Sequence, residues 1–161
     1  MADTKDTKSE APWWKAFPDA RSKCPEVTAD DVMQLFDDMD ITSEPRSFLL
    51  VDVRSDDWVG GTIKTSINLP ARSFYQTRKT LFELCHRAGV TKVIFYCGSS
   101  SGRGPRCAGW MQDYIDDVAK FGKKSNIEVL VLKGGIKGWV KEFEGMLMDG
   151  FEEGKWKEVD K

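Results

Sequence analysis

One segment of the chain gathers residue types that could do chemistry together: "FYCGSSSGRGPRCAGW", residues 95–110. Cys97 is followed by the small-residue run Gly98, Ser99, Ser100, Ser101 and Gly102, and then by Arg103. A cysteine thiolate is a nucleophile, and an arginine fork donates two parallel hydrogen bonds to a tetrahedral oxyanion. Glycines at 98 and 102 free the backbone, so the amides between them can turn inward as an anion nest. An oxyanion held there would sit against sulfur, and the same donors would favour thiolate over thiol. The Cys-x5-Arg spacing alone is a weak signal, because small-residue turns between a strand and a helix are common. Its neighbours decide what it is worth.

Those neighbours are the right ones. "KVIFY", ahead of Cys97, is β-branched and aromatic like a buried strand, and "PRCAGWMQDYIDDVAKFG" reads as a helix with Pro105 in its first turn. Cys97 is thereby placed at the carboxyl end of a strand, where open α/β sheets bind ligands, with a helix amino end aimed at the same point. "SFLLVDV" and "IEVLVLKGG" read as further buried strands, and "SINLP" as a short one. Helical patterns cover "TADDVMQLFDDM" with Thr28 as N-cap, a brief turn of helix at "DDWVGG", "FYQTRKTLFELCHRAG" closed by Gly89, and "IKGWVKEF". Alternating strands and helices predict an α/β fold, a parallel sheet flanked by helices on both faces. Residues 1–23 read as a disordered tail and a tryptophan-rich arm, with Trp13, Trp14 and Phe17 folding back onto the body. Residues 24–145 form the domain, and 146–161 a charged, loose tail.

Charge and composition narrow the function classes. Lysine and arginine number 24 against 26 acids, a balance that does not mark a nucleic-acid binder. No apolar run is long enough for a bilayer, and "MADTKDTKSEA" lacks the apolar core of a signal peptide, so a cytoplasmic or nuclear protein is expected. The cysteines at 24, 85, 97 and 107 form no C-x-x-C pair, which fits reduced thiols in those compartments. With His86 as the sole histidine, no metal site is expected.

"KVIFYCGSSSGRGP" followed by a helix resembles the active-site segment of rhodanese-fold enzymes, above all the eukaryotic arsenate reductases and M-phase inducer phosphatases. Those groups carry Cys-x5-Arg followed by Gly-Pro, as Cys97, Arg103, Gly104 and Pro105 do here. "LLVDVRSDDWVGGTIKTSINLP" is similar to the family stretch in which Asp-x-Arg ends a strand and Gly-His-Ile follows. "VLVLKGGIKGW" looks like its closing strand, glycine turn and tryptophan helix. The resemblance runs from about residue 26 to 143. It implies a Cys97 thiolate attacking an oxyanion held by the loop amides and Arg103, with Asp52 and Arg54 pinning the strand end. The expected substrate is a phosphate- or arsenate-type oxyanion, carried on a phosphoprotein in the phosphatase case. No cofactor is implied beyond an external thiol, glutathione or glutaredoxin, for a reductase. Sulfurtransferases of this fold have a loop one residue shorter, suited to a persulfide. Thiosulfate sulfurtransfer through a Cys97 persulfide, and a non-catalytic rhodanese module, are the alternatives.

The chain departs from the family pattern at Tyr96 and Thr62, which stand where the family has histidines, and at Val53, where some relatives carry a second cysteine. The loop also lacks the glutamate that the inducer phosphatases place before the arginine. A poor leaving group wants a proton, and general acids supply about 10²–10⁴-fold. Asp52, Asp56 or Asp57 would have to lean in to provide one. Arsenate and activated phosphates make no such demand. Of the remaining cysteines, Cys107 and Cys85 lie on apolar helix faces and read as core. Cys24 carries no assignment. Arg106 reads as a solvated charge that could steer anions.

Overall fold

The computed structural model describes residues 10–39 and 46–157. The expectations for residues 1–9 and 158–161 therefore lie outside the described residues. The strands are β1 (Glu26–Val27), β2 (Phe48–Asp52), β3 (Thr62–Ile63), β4 (Ile67–Asn68), β5 (Lys92–Tyr96), β6 (Glu128–Leu132) and β7 (Met148–Asp149). The helices are α1 (Ala29–Asp37), α2 (Ala71–Ala88), α3 (Arg103–Ala119), α4 (Gly135–Phe143) and the single turn α5 (Glu153–Trp156). Five strands form a parallel sheet in the order β1-β6-β5-β2-β4, and β3 and β7 make a separate antiparallel pair.

Alternate residues of each central strand serve opposite faces, as the period of two requires. Val93 and Phe95 of β5 join a core built with Phe74, Leu81, Phe82 of α2 and Trp110 of α3. Ile94 and Tyr96 of the same strand join Val32 of α1 and Ile136 and Trp139 of α4 on the other face. Both faces being covered explains why these strands read as unbroken apolar runs. Leu50 sits opposite Ile94 and Asp52 opposite Tyr96, so β2 and β5 end level with each other at the edge from which Cys97 leaves the sheet.

Local signals set the boundaries. Thr28 Oγ1 accepts from the Asp31 amide at 3.1 Å while the Asp31 carboxylate accepts from the Thr28 amide at 2.9 Å, a capping box that starts α1. Gly89, at φ 73°, closes α2. That helix begins earlier than the sequence pattern suggests, directly after Pro70.

Two expectations are corrected. "DDWVGG" is a turn rather than a helix. Arg54 Nη1 and Nη2 capture the carbonyls of Val59 and Gly61 at 3.2 and 2.7 Å, and Gly60 and Gly61 take φ of 79° and 104°. Those positive φ values take the backbone out of the right-handed helical region. The chain after 145 is also not loose through residue 157. β7 pairs with β3, and the Trp156 indole donates to the Gly60 carbonyl at 2.8 Å, partly burying an aromatic that charge composition had hidden.

The tryptophan arm does fold back. Trp13 and Phe17 pack edge-on against Trp110, with ring centroids 6.2 and 5.7 Å away, and Trp110 Nε1 donates to the Pro18 carbonyl at 2.8 Å. Further along, the buried Asp113 carboxylate accepts from the amides of Arg21 and Ser22 at 2.8 and 2.9 Å. Gly109 permits this approach, since a Cβ there would lie 2.6 Å from the Ser22 carbonyl oxygen.

Candidate functional site

Cys97 follows β5 directly and is buried, 3% exposed. Its Sγ accepts a hydrogen bond from the Gly104 amide, in the first turn of α3, at 3.4 Å. The positive end of that helix is thus applied to sulfur. On the other side, the first amides of α4 fix the loop. Ile136 and Lys137 N–H groups donate to the carbonyls of Cys97 and Gly98, each at 3.0 Å. A trans peptide is planar with its N–H opposite its C=O, so the Gly98 and Ser99 amides point away from α4 together. Two successive donors aimed one way are the beginning of an anion nest.

The glycines act differently from the sequence expectation. Neither Gly98 nor Gly102 has a positive φ; the left-handed residue of the loop is Ser100, at φ 57°. Ser100 is buried, and its Oγ accepts from the Cys97 amide at 3.4 Å, which helps hold that conformation. Gly98 lies beside two cationic side chains: a Cβ there would make ordinary contact with Lys137 Cε at 3.6 Å and Arg103 Nη2 at 3.8 Å. The hydroxyls of Ser99 and Ser101 bond to each other at 2.8 Å at the surface.

Arg103, the first residue of α3, lies between the loop and the turn after β2. Its Nη1 and Nη2 donate to Asp57 Oδ1 and Oδ2 at 2.7 and 2.6 Å. These hydrogen bonds, more than the charge itself, hold the Asp57 carboxyl below the ordinary carboxylate range, down to about 2, and raise Arg103 in turn. Of the acids that could lean in, Asp57 does so, and it stands ionised. The pair borders a cavity of about 220 Å³ lined by Trp13, Ser55, Asp56, Asp57, Arg72 and Arg103. A larger cleft of about 930 Å³ also borders the loop, walled by Lys23, Cys24, Ser101, Gly102 and Arg106 among others. Arg106 is not simply solvated, because its guanidinium stacks 4.2 Å over the Trp14 ring.

Asp52 and Arg54 form a buried ion pair away from sulfur, with Arg54 Nη2 2.7 Å from Asp52 Oδ2. Thr62 Oγ1 donates to the same carboxylate at 2.9 Å and bonds the Tyr96 hydroxyl at 2.8 Å, and Ser66 Oγ meets that hydroxyl at 2.7 Å. The two departures from the family histidines therefore contact each other, in one buried network on the α1/α4 face. Tyr96 points away from the Cys97 face, and burial pushes its hydroxyl well above the ordinary phenol range. Cys107 is fully buried, and burial raises its thiol; Cys85 and Cys24 are pushed up to about 11 for the same reason. All four cysteines are free. Among the described residues no group of three or more histidine, cysteine or acidic side chains is placed to hold a metal ion.

Sequence reasoning overlooked Lys137, Trp13 and Arg72 as neighbours of the loop. Lys137 was findable in principle, since "GGIKGW" starts a helix at the same sheet edge as Cys97.

The family model described as a rhodanese-like domain matches residues 28–142, and the chain belongs to that family. The CDC25-like phosphatase YCH1 of Saccharomyces cerevisiae is 33% identical over 57% of this chain and 65% of its own. Arsenate reductase 2.1 of Oryza sativa subsp. japonica is 33% identical over 60% of this chain and 58% of its own. The aligned region thus spans less than two thirds of either relative. Among solved structures, a yeast protein tyrosine phosphatase of the rhodanese family superposes with a TM-score of 0.65 at 26% identity, covering 84% of this chain and 98% of that one.

Proposed function

We propose that the protein is a cysteine-dependent enzyme acting on phosphate- or arsenate-type oxyanions, with Cys97 as nucleophile and Arg103 and the loop amides from Gly98 to Gly102 as the oxyanion cradle. The observation that carries this is the convergence on Cys97: a helix-start amide on Sγ at 3.4 Å, two loop amides turned away from α4, and the Arg103 fork beside the loop. Relatives named as a phosphatase and an arsenate reductase support the same chemistry.

For a phosphate monoester, the thiolate attacks phosphorus, the bond to the leaving oxygen breaks, and water then hydrolyses the phosphocysteine. Asp57 is ionised as it stands and has no proton to give an alkoxide, so leaving groups that depart unaided are favoured. Arsenate fits this restriction: Cys97 displaces hydroxide or water from arsenic(V), one external thiol displaces a second, a further thiol attacks that sulfur so that the pair leaves as a disulfide and arsenic(V) becomes arsenic(III), and water then frees arsenite from Cys97. Glutathione or glutaredoxin would be such a donor. A phosphoprotein is the corresponding macromolecular substrate.

The test is hydrolysis of an activated aryl phosphate by wild type and Cys97→Ser, with arsenate as competitor. Turnover that arsenate inhibits and the serine variant loses by at least about 10³-fold is expected. A persulfide on Cys97 after thiosulfate, without aryl phosphate turnover, would replace this reading with sulfurtransfer.

A further inference from the structure

Arg103 turns the end of its guanidinium to Asp57, with Nη1 and Nη2 each donating one hydrogen, at 2.7 and 2.6 Å. A carboxylate and a tetrahedral oxyanion present the same two-oxygen edge to a guanidinium. The nitrogen that binds Asp57 Oδ2, Nη2, also reaches back over the loop, 3.8 Å from where a Cβ on Gly98 would stand. An anion in the nest would draw that nitrogen toward the loop, against the pull of the Asp57 carboxylate on the same guanidinium.

We propose that Asp57 is a resident anion of the oxyanion site, occupying the Arg103 fork until a tetrahedral oxyanion displaces it, and so setting the affinity threshold for substrate. This rests on the oxyanion chemistry proposed for Cys97. Three features favour competition over a purely positioning role. Arg103 is placed by its own backbone in the first turn of α3, whereas Asp57 arrives from a separate turn with its side chain 50% exposed. Arg72 lines the same cavity and offers the displaced carboxylate a second cation. The carboxylate is fully charged at neutral pH, so binding exchanges one anion for another rather than filling an empty fork. Weakly coordinating anions are kept out, and a doubly charged phosphate or arsenate can win.

Calorimetric titration of the full chain with inorganic phosphate tests this without requiring turnover. Asp57→Asn keeps the shape and can still accept from the Ser55 amide, which now lies 3.1 Å from Oδ1, but it no longer holds the fork by charge. It should bind phosphate about tenfold more tightly than wild type. Asp57→Ala should shift in the same direction, and Asp57→Glu should stay near wild type. In an Arg103→Ala background, Asp57→Asn should give no gain. Weaker phosphate binding by Asp57→Asn would make Asp57 a positioning residue for Arg103 and overturn the proposal, as would an unchanged constant. Tighter binding with no aryl phosphate turnover would uphold Asp57 as the resident anion while removing the catalytic reading of Cys97.

Discussion

At Tyr96 and Thr62 the chain replaces two family histidines with a phenol and a hydroxyl, and the replacements hydrogen bond to each other at 2.8 Å. Their network reaches Asp52 and Ser66 but not Cys97, so its role is to fix the end of β5. Tyr96→Phe would leave the Thr62 and Ser66 hydroxyls and the Ile63 amide short of a partner, at a cost of about 1–2 kcal/mol in unfolding free energy. In a denaturant titration this loss should appear while kcat/KM stays within about threefold of wild type. A collapse in turnover would place Tyr96 in the chemistry instead. Residue types at 97 and 103 could be read from the sequence because strand, loop and helix follow one another without a gap. The Thr62–Tyr96 contact could not, because it joins residues 34 positions apart across two strands. Nor could the pairing of Arg103 with Asp57, which spans 46 positions.

The elements around the loop are held by backbone more than by side chains. Gly135, in the first turn of α4, has φ 59°, and a Cβ on it would come within 2.5 Å of the Cys97 carbonyl oxygen. Gly135→Ala should therefore cost about 2–4 kcal/mol and displace the segment that turns the Gly98 and Ser99 amides. Thermal melting and aryl phosphate kinetics should fall together; an alanine variant of wild-type stability and turnover would show that α4 does not brace the loop. The glycine turn before this helix was visible in "LKGGIKGW", but its duty toward Cys97 was not, since sequence shows the turn and not what passes over it. At "DDWVGG" the local pattern misled for a related reason. Gly60 and Gly61 take φ of 79° and 104°, outside the helical region, and the Arg54 guanidinium holds that turn through the carbonyls of Val59 and Gly61.

At the scale of the whole molecule, both ends of the described chain lie outside the family match at 28–142 and both are fastened to it. The amino-terminal arm closes over Trp110 and Asp113, while Trp156 is tied to Gly60 in the turn that Arg54 organises. Trp156→Ala should lower stability by about 1–3 kcal/mol and loosen that turn, which hydrogen exchange at the amides of residues 58–62 would report. Exchange unchanged there would mean that Arg54 alone maintains it. The sheet and its two covered faces were legible because apolar runs alternate with amphipathic helices. The fastened ends were not, because their aromatics are scattered among charges with no period. The arm also has an optical consequence. Trp13 lines the cavity of Arg103 while its ring sits 6.2 Å from Trp110, so an indole emitter stands beside the guanidinium on which anions would exchange. Exchange of anions there should therefore register in the protein's own fluorescence, a readout of binding in light that needs no attached dye.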